Sequence, residues 1–148
     1  MDKENKNGMV LIQNAELGEL EIQTDTIIHF NKGIVGFDNL RKFALVDIQE
    51  CKPFLWCVCI DDADISFPII EYNRVFPSFE LELGDKERSE LKITSAEDIN
   101  LFFVVTVDEE NESVTANLKG PIVINPKEKL GAQIVLANDK YVVNHPIV

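Results

Sequence analysis

Two histidines and three cysteines are the side chains of this sequence best suited to nucleophilic, acid–base or metal chemistry, and their placement favours packing. His29 stands in the run TIIHF and His145 in the terminal NHPIV. Covalent catalysis needs a nucleophile, a base and an orienting group within hydrogen-bond reach. Sequence carries no distances, so a Cys–His pair stays open at this level. Cys57 and Cys59, however, lie in the apolar run FLWCVCI, where a thiol acts as a small hydrophobe. The C-x5-C-x-C spacing of Cys51, Cys57 and Cys59 also departs from zinc sites, which pair cysteines two to four residues apart and add two further ligands.

Two other patterns invite a ligand. KGIVGF (residues 32–37) carries Gly33 and Gly36 but is neither a dinucleotide fingerprint nor a phosphate loop, and it reads as a tight backbone path between strands. The acidic runs Asp61-Asp62-Ala63-Asp64 and Asp108-Glu109-Glu110-Asn111-Glu112 suggest calcium. The first lacks the glycine and closing glutamate of an EF-hand loop, and neither sits between helical patterns. Both read as polar hairpin turns, and no metal or cofactor is expected.

The elements that must position these residues are strands. Met9 to Ala15 and Glu19 to Gln23 flank a turn at Leu17-Gly18 and read as a hairpin. Strands follow at Thr26–Phe30, Phe43–Ile48, Phe54–Ile60, Phe67–Glu71 and Phe79–Leu83. Leu101–Val107, Val114–Leu118, Pro121–Asn125, Gln133–Ala137 and a short segment near Tyr141 complete the set. Many short strands at this spacing indicate a sandwich or barrel of antiparallel meanders. FLWCVCI and Leu101–Val107 are apolar on both faces, as strands covered on both sides would be. FELEL alternates, with Phe79, Leu81 and Leu83 inward and Glu80 and Glu82 toward water. Helix signals are confined to Asp85–Leu91, with Asp85 as a possible cap, and to one turn over Pro126–Leu130 before Gly131.

At 148 residues the chain suits a single domain with its own core. MDKENKNG (residues 1–8) reads as a flexible leader without the apolar segment of a signal peptide, leaving one β domain over residues 9–148. No apolar run approaches the ~20 residues of a membrane span. An odd number of cysteines without a secretory signal suits reduced thiols in a cytoplasm. The net charge of −12 is uneven. Residues 61–113 hold 15 acids and 4 bases, whereas residues 114–148 hold 2 acids and 4 bases. Such a surface repels nucleic acid and anionic lipid and attracts basic partners, besides keeping the chain soluble.

Four segments, in order, carry a family resemblance: FNKGIVGF (30–37), PFLWCVCIDDADISFPI (53–69) followed by FPSFELEL (76–83), VTANLKGPIVIN (114–125) and QIVLANDKYVVNHPI (133–147). Together they resemble the FliW family of flagellar assembly factors from about residue 9 to the C-terminus. The matching residues Gly33, Gly36, Phe37, Pro53, Phe54, Asn117, Leu118, Pro121, Ile122 and Asn125 are mainly structural in this reading. The chain departs from the family at Cys57 and Cys59, where glutamine and serine are frequent. It departs again at Glu71-Tyr72-Asn73-Arg74, which replaces an asparagine–proline turn. The resemblance implies a compact, non-enzymatic antiparallel β-barrel-like domain, here with at most one or two short helical turns, and the charged outer faces of the strands suit a monomer. It also implies two partners: flagellin awaiting export and, once flagellin has left, CsrA, a small RNA-binding regulator whose repression of flagellin translation is thereby relieved.

The acidic residues Asp61, Asp62, Asp64, Glu80 and Glu82 are the candidates for contact with basic CsrA. Tyr72, Val75 and Phe76, beside a proline-broken strand, are the candidates for covering apolar helix faces of flagellin. The competing readings are an acidic module for another basic partner and a barrel that binds a small molecule.

Overall fold

The computed structural model describes residues 3–4, 8–137 and 139–147. The expected leader therefore falls mostly outside the described residues; within it, β1 (Lys3–Glu4) pairs with β2 (Met9–Asn14). β2 forms the expected hairpin with β3 (Gly18–Gln23). Asn14 shapes the turn: its buried side-chain oxygen accepts the N–H groups of Glu16 and Leu17, each at 2.9 Å. Gly18 follows in the left-handed region that lets such a turn close.

The other strands close on themselves. β4 (Ile28–Phe30), β5 (Lys42–Val46), β6 (Leu55–Cys59), β7 (Ser66–Glu71), β8 (Asn100–Asp108) and β9 (Ser113–Asn125) pair in antiparallel succession. β10 (Leu130–Gln133) then pairs antiparallel with β9 and parallel with β4, completing a seven-stranded barrel. β11 (His145–Pro146) adds to β9 opposite Ala116 and Thr115. Closure removes the free edges that an open sheet would expose.

Strand alternation divides the core into an interior and two outer layers. Phe30, Phe43, Cys57, Ile69, Phe102 and Ile122 meet inside. Phe30 stands edge-on to Phe43, with ring centroids 5.2 Å apart, and Phe43 in turn faces Phe67. Gly131, paired with Phe30, leaves room for that ring: a Cβ there would lie 2.6 Å from it. On one side of the wall, Val10, Ile12 and Ile22 of the β2–β3 hairpin cover Ala44 and Ile60. On the other, Phe79, Leu91, Leu136 and Tyr141 cover Phe103, Val105, Leu118 and Val123. β6 is thus buried on both faces over Cys57–Cys59 and β8 over Leu101–Phe103, whereas Leu55 and Trp56 are half-buried and Thr106 and Val107 exposed.

Five local expectations differ from the structure. The segment near Tyr141 forms no strand, and the short strand that follows is β11. Residues 79–83 form no strand ladder: Phe79 is buried and Glu80 and Glu82 are exposed, but the segment is held by side-chain packing and by Glu80 N–H donating to the Tyr141 hydroxyl at 3.0 Å. Val114–Leu118 and Pro121–Asn125 are one strand, with Leu118–Pro121 bulging opposite Phe103. The Asn117 side chain holds that bulge by accepting the N–H groups of Lys119 and Gly120, both at 3.0 Å, so Gly120-Pro121 bends the strand without ending it. Residues 126–129 form the β9–β10 hairpin turn rather than a helical turn, and the strand that follows is Leu130–Gln133, so the expected Gln133–Ala137 strand meets it only at Gln133. The one α-helix among the described residues, α1 (Asp85–Glu90), is capped from Gly84 without a side-chain bond, so Asp85 lies inside it.

Candidate binding surface

The residues suited to catalysis are kept apart. Cys57 and Cys59 lie fully buried inside the barrel, whereas the neighbours of His29 on β4 point inward and His29 itself is exposed. His145 packs edge-on against Phe76 in an outer layer. All three cysteines are free thiols, Cys51 half-buried. Burial holds the Cys57 thiol far above its ordinary range, helped by Cys59, so it stays protonated and unreactive. No grouping of histidine, cysteine or carboxylate among the described residues could hold a metal ion.

The five candidate acids fall in two places. Asp61, Asp62 and Asp64 form the β6–β7 turn. Asp61 accepts the N–H groups of Arg41 and Lys42 at 2.8 and 3.0 Å, fixing the start of β5, and Asp62 accepts from Asp64 N–H. Asp61 is therefore partly committed to the scaffold. Glu80 and Glu82 project from the segment that crosses Phe103, the partner of Ile70 toward the other end of β7. Lys140 approaches Glu80 at 3.9 Å, and Glu82 is exposed. The acidic surface is thus two patches on different elements. A third acidic stretch, the β8–β9 turn, is organised by Asp108; hydrogen bonds from the side chain and backbone of Asn111 hold its carboxyl below the usual range.

Tyr72, Val75 and Phe76 are all half-buried against the outer layer. Phe76 stands between Tyr141 and His145, with centroids at 5.7 and 5.6 Å. Of the three, Tyr72 lines a groove of about 400 Å³ with Glu71, Leu81, Ile99 and Asn100.

The signature residues are chiefly scaffold. A Cβ on Gly33 would lie 2.5 Å from the Phe37 carbonyl, and its φ of 67° is one that L side chains rarely adopt. Gly36 also has positive φ, and Phe37, whose backbone bridges Ile34, leaves its ring 43% exposed. Lys52–Pro53 is a cis bond leading to half-buried Phe54. Leu118, Pro121 and Ile122 are fully buried. Asn125, 2% exposed, donates to the carbonyls of Leu91 at 2.8 Å and Lys92 at 3.3 Å and accepts from Glu128 N–H.

The strand pattern did not reveal a cleft on the outer wall. Trp56 and Pro68 are opposed across β6 and β7, and Val107 faces Val114 across β8 and β9. Neither outer layer covers Trp56, Pro68 or Val107. They line a groove of about 280 Å³ with Phe54 and Val105, and an adjoining hollow of about 390 Å³. Pro68 and the Val107–Val114 pair are visible in the sequence, but only the register brings them beside Trp56.

Among the described residues no helix is long and apolar enough to cross a membrane. The FliW protein family model matches residues 11–147. The flagellar assembly factor FliW of Thermosipho africanus is 38% identical over 135 residues, covering 90% of this chain and 93% of its own. That of Caldicellulosiruptor saccharolyticus is 37% identical over 131 residues, with 88% and 86% covered, and that of Thermotoga maritima 34% over 136, with 91% of each. A crystal structure of the flagellar assembly factor FliW superimposes with a TM-score of 0.85 at 33% identity, over 92% of this chain and 95% of the other. The closed barrel, the bulged β9 signature strand and these likenesses agree: the chain belongs to the FliW family of flagellar assembly factors.

Proposed function

We propose that this chain is a cytoplasmic, monomeric regulator that binds flagellin before export and, when flagellin has been exported, binds CsrA and relieves its repression of flagellin synthesis. Family membership carries this reading, since its relatives are named as flagellar assembly factors. The packing supports a surface role: phenylalanine and isoleucine fill the barrel interior, leaving recognition to the outside and disfavouring a small-molecule site there. The two partners are linked by competition for a limited pool, so free flagellin withholds the antagonist from CsrA.

CsrA presents basic surface to RNA phosphate, and the exposed acids Asp64, Glu80 and Glu82, with Asp61 and Asp62, supply a complementary field that speeds encounter and repels RNA. Flagellin calls for apolar cover, for which half-buried Tyr72, Val75 and Phe76 are the candidates, Tyr72 lining a groove. Titration of purified CsrA against the wild type and the Glu80→Lys/Glu82→Lys variant over a salt series tests the electrostatic part. The variant should bind several-fold more weakly at low salt and show a flatter salt dependence. Equal affinity for both proteins across the series would remove these acids from the interface.

A further inference from the structure

We propose that the cleft between the two outer layers, floored by Phe54, Trp56, Pro68, Val105, Val107 and Val114, docks an amphipathic helix whose apolar stripe is flanked by lysine or arginine. The inference rests on reading the chain as a protein-binding factor and names a site and an occupant for that activity. The floor is apolar, and Val107 is 56% exposed although it lies on a barrel strand. The indole N–H of Trp56 is buried with no acceptor among the described residues, so no side-chain hydrogen bond fixes the indole. One of its neighbours, Val46, belongs to the hairpin-covered layer, while Val105 and Val114 belong to the other, so the cleft is the strip that both layers leave open.

Charge and backbone geometry select the occupant. Glu50 stands at one end of the cleft and Glu16, Asp64 and Glu109 at the other, all exposed. The one cation lining it among the described residues, Lys52, already faces Asp47 at 3.9 Å. An apolar segment with basic flanks complements this arrangement, and one with acidic flanks is repelled. At the floor Trp56 is laddered to Pro68 and Val107 to Val114, and although the β7–β8 ladder ends at Ile69–Val104, Pro68 beside it carries no N–H, so the cleft offers a poor edge for β-addition. An extended peptide would bury unpaired backbone groups there, whereas a helix satisfies its own and presents side chains alone. The floor crosses three strand spacings, roughly 14 Å. That equals about nine residues of helix, enough for apolar side chains at i, i+3 or i+4, and i+7.

Trp56 is the only tryptophan of the chain, so its fluorescence reports cleft occupancy directly. The probes are two synthetic 14-residue helical peptides without tryptophan, sharing a leucine stripe and flanked by lysine in one and by glutamate in the other. The lysine peptide should shift Trp56 emission saturably, and at low salt it should bind at least tenfold more tightly than the glutamate peptide. Val107→Glu should weaken it at least tenfold with an unchanged melting temperature, and Glu109→Lys should weaken it several-fold while leaving the floor intact. No saturable shift, equal binding of the two peptides, or indifference to both substitutions would overturn the proposal. So would self-association of the wild type abolished by Val107→Glu, which would assign the cleft to a second copy. Flagellin and CsrA titrated against the same variants separate the two levels: intact binding of either with no peptide response overturns the cleft alone.

Discussion

Asn125 joins two parts of the molecule that share no strand pairing, which makes its removal informative. Its carboxamide lies at the end of β9, 2% exposed, and donates to Leu91 O at 2.8 Å and Lys92 O at 3.3 Å, just past the C-terminus of α1. Its oxygen accepts Glu128 N–H at 3.3 Å in the β9–β10 turn. In Asn125→Ala the Lys92 carbonyl and Glu128 amide belong to exposed residues and can turn to water. Leu91 is 3% exposed, so its carbonyl keeps only the helix-end geometry it already has. An unsatisfied buried carbonyl costs about 1–3 kcal/mol, and the two weaker bonds add about 0.5 kcal/mol each. The expected loss is about 2–4 kcal/mol, a lowering of the melting temperature by roughly 5–15 °C for a chain of this size. Urea unfolding followed by far-UV circular dichroism, with calorimetry, measures both. Asn125→Asp serves as the control: it keeps the acceptor but turns an anionic oxygen toward two carbonyls, so at neutral pH it should be at least as unstable as the alanine variant. A loss below about 0.5 kcal/mol for both would refute the claim that this side chain clamps the 72–99 segment to the barrel.

Gly131→Ala should cost about 1–3 kcal/mol by overpacking, because the new Cβ meets the Phe30 ring inside the barrel, and chemical denaturation would register it. Alkaline pH should destabilise the wild type through Cys57. Burial raises its folded pKa above the ordinary 9.0, so its contribution is complete below that value and is lost as pH rises toward the folded pKa, while only the unfolded chain ionises. Between pH 8 and 10 the wild type should lose about 1 kcal/mol more stability than Cys57→Ala, measured by paired urea titrations.

Alternation along single strands was legible because side-chain period is local. The double-faced pattern of FLWCVCI foretold a wall covered on both sides, and the in–out order of Phe79 to Leu83 held even though no strand ladder forms there. Barrel closure was not legible from the pattern, because the parallel β4–β10 pairing joins residues about 100 positions apart and Leu-Gly-Ala-Gln has no alternation of its own. β9 misled for a related reason. Glycine and proline at 120–121 punctuate a chain locally, but the Asn117 side chain and the neighbouring strands turn that punctuation into a bulge. Candidate acids were identifiable by charge, yet their division into two patches depends on which end of β7 each loop meets. The cleft depends on register across four strands, which no single segment encodes.

The central claim is that one protein binds two partners in alternation, flagellin before export and CsrA after it. A competition titration tests it most directly: preformed complex of this protein with purified CsrA is challenged with unassembled flagellin, and free CsrA is followed by its binding to labelled flagellin-transcript RNA. The account predicts that this protein removes CsrA from the RNA and that added flagellin restores RNA binding in a dose-dependent, saturable manner. RNA occupancy by CsrA that ignores this protein, or that stays suppressed whatever the flagellin concentration, would contradict it.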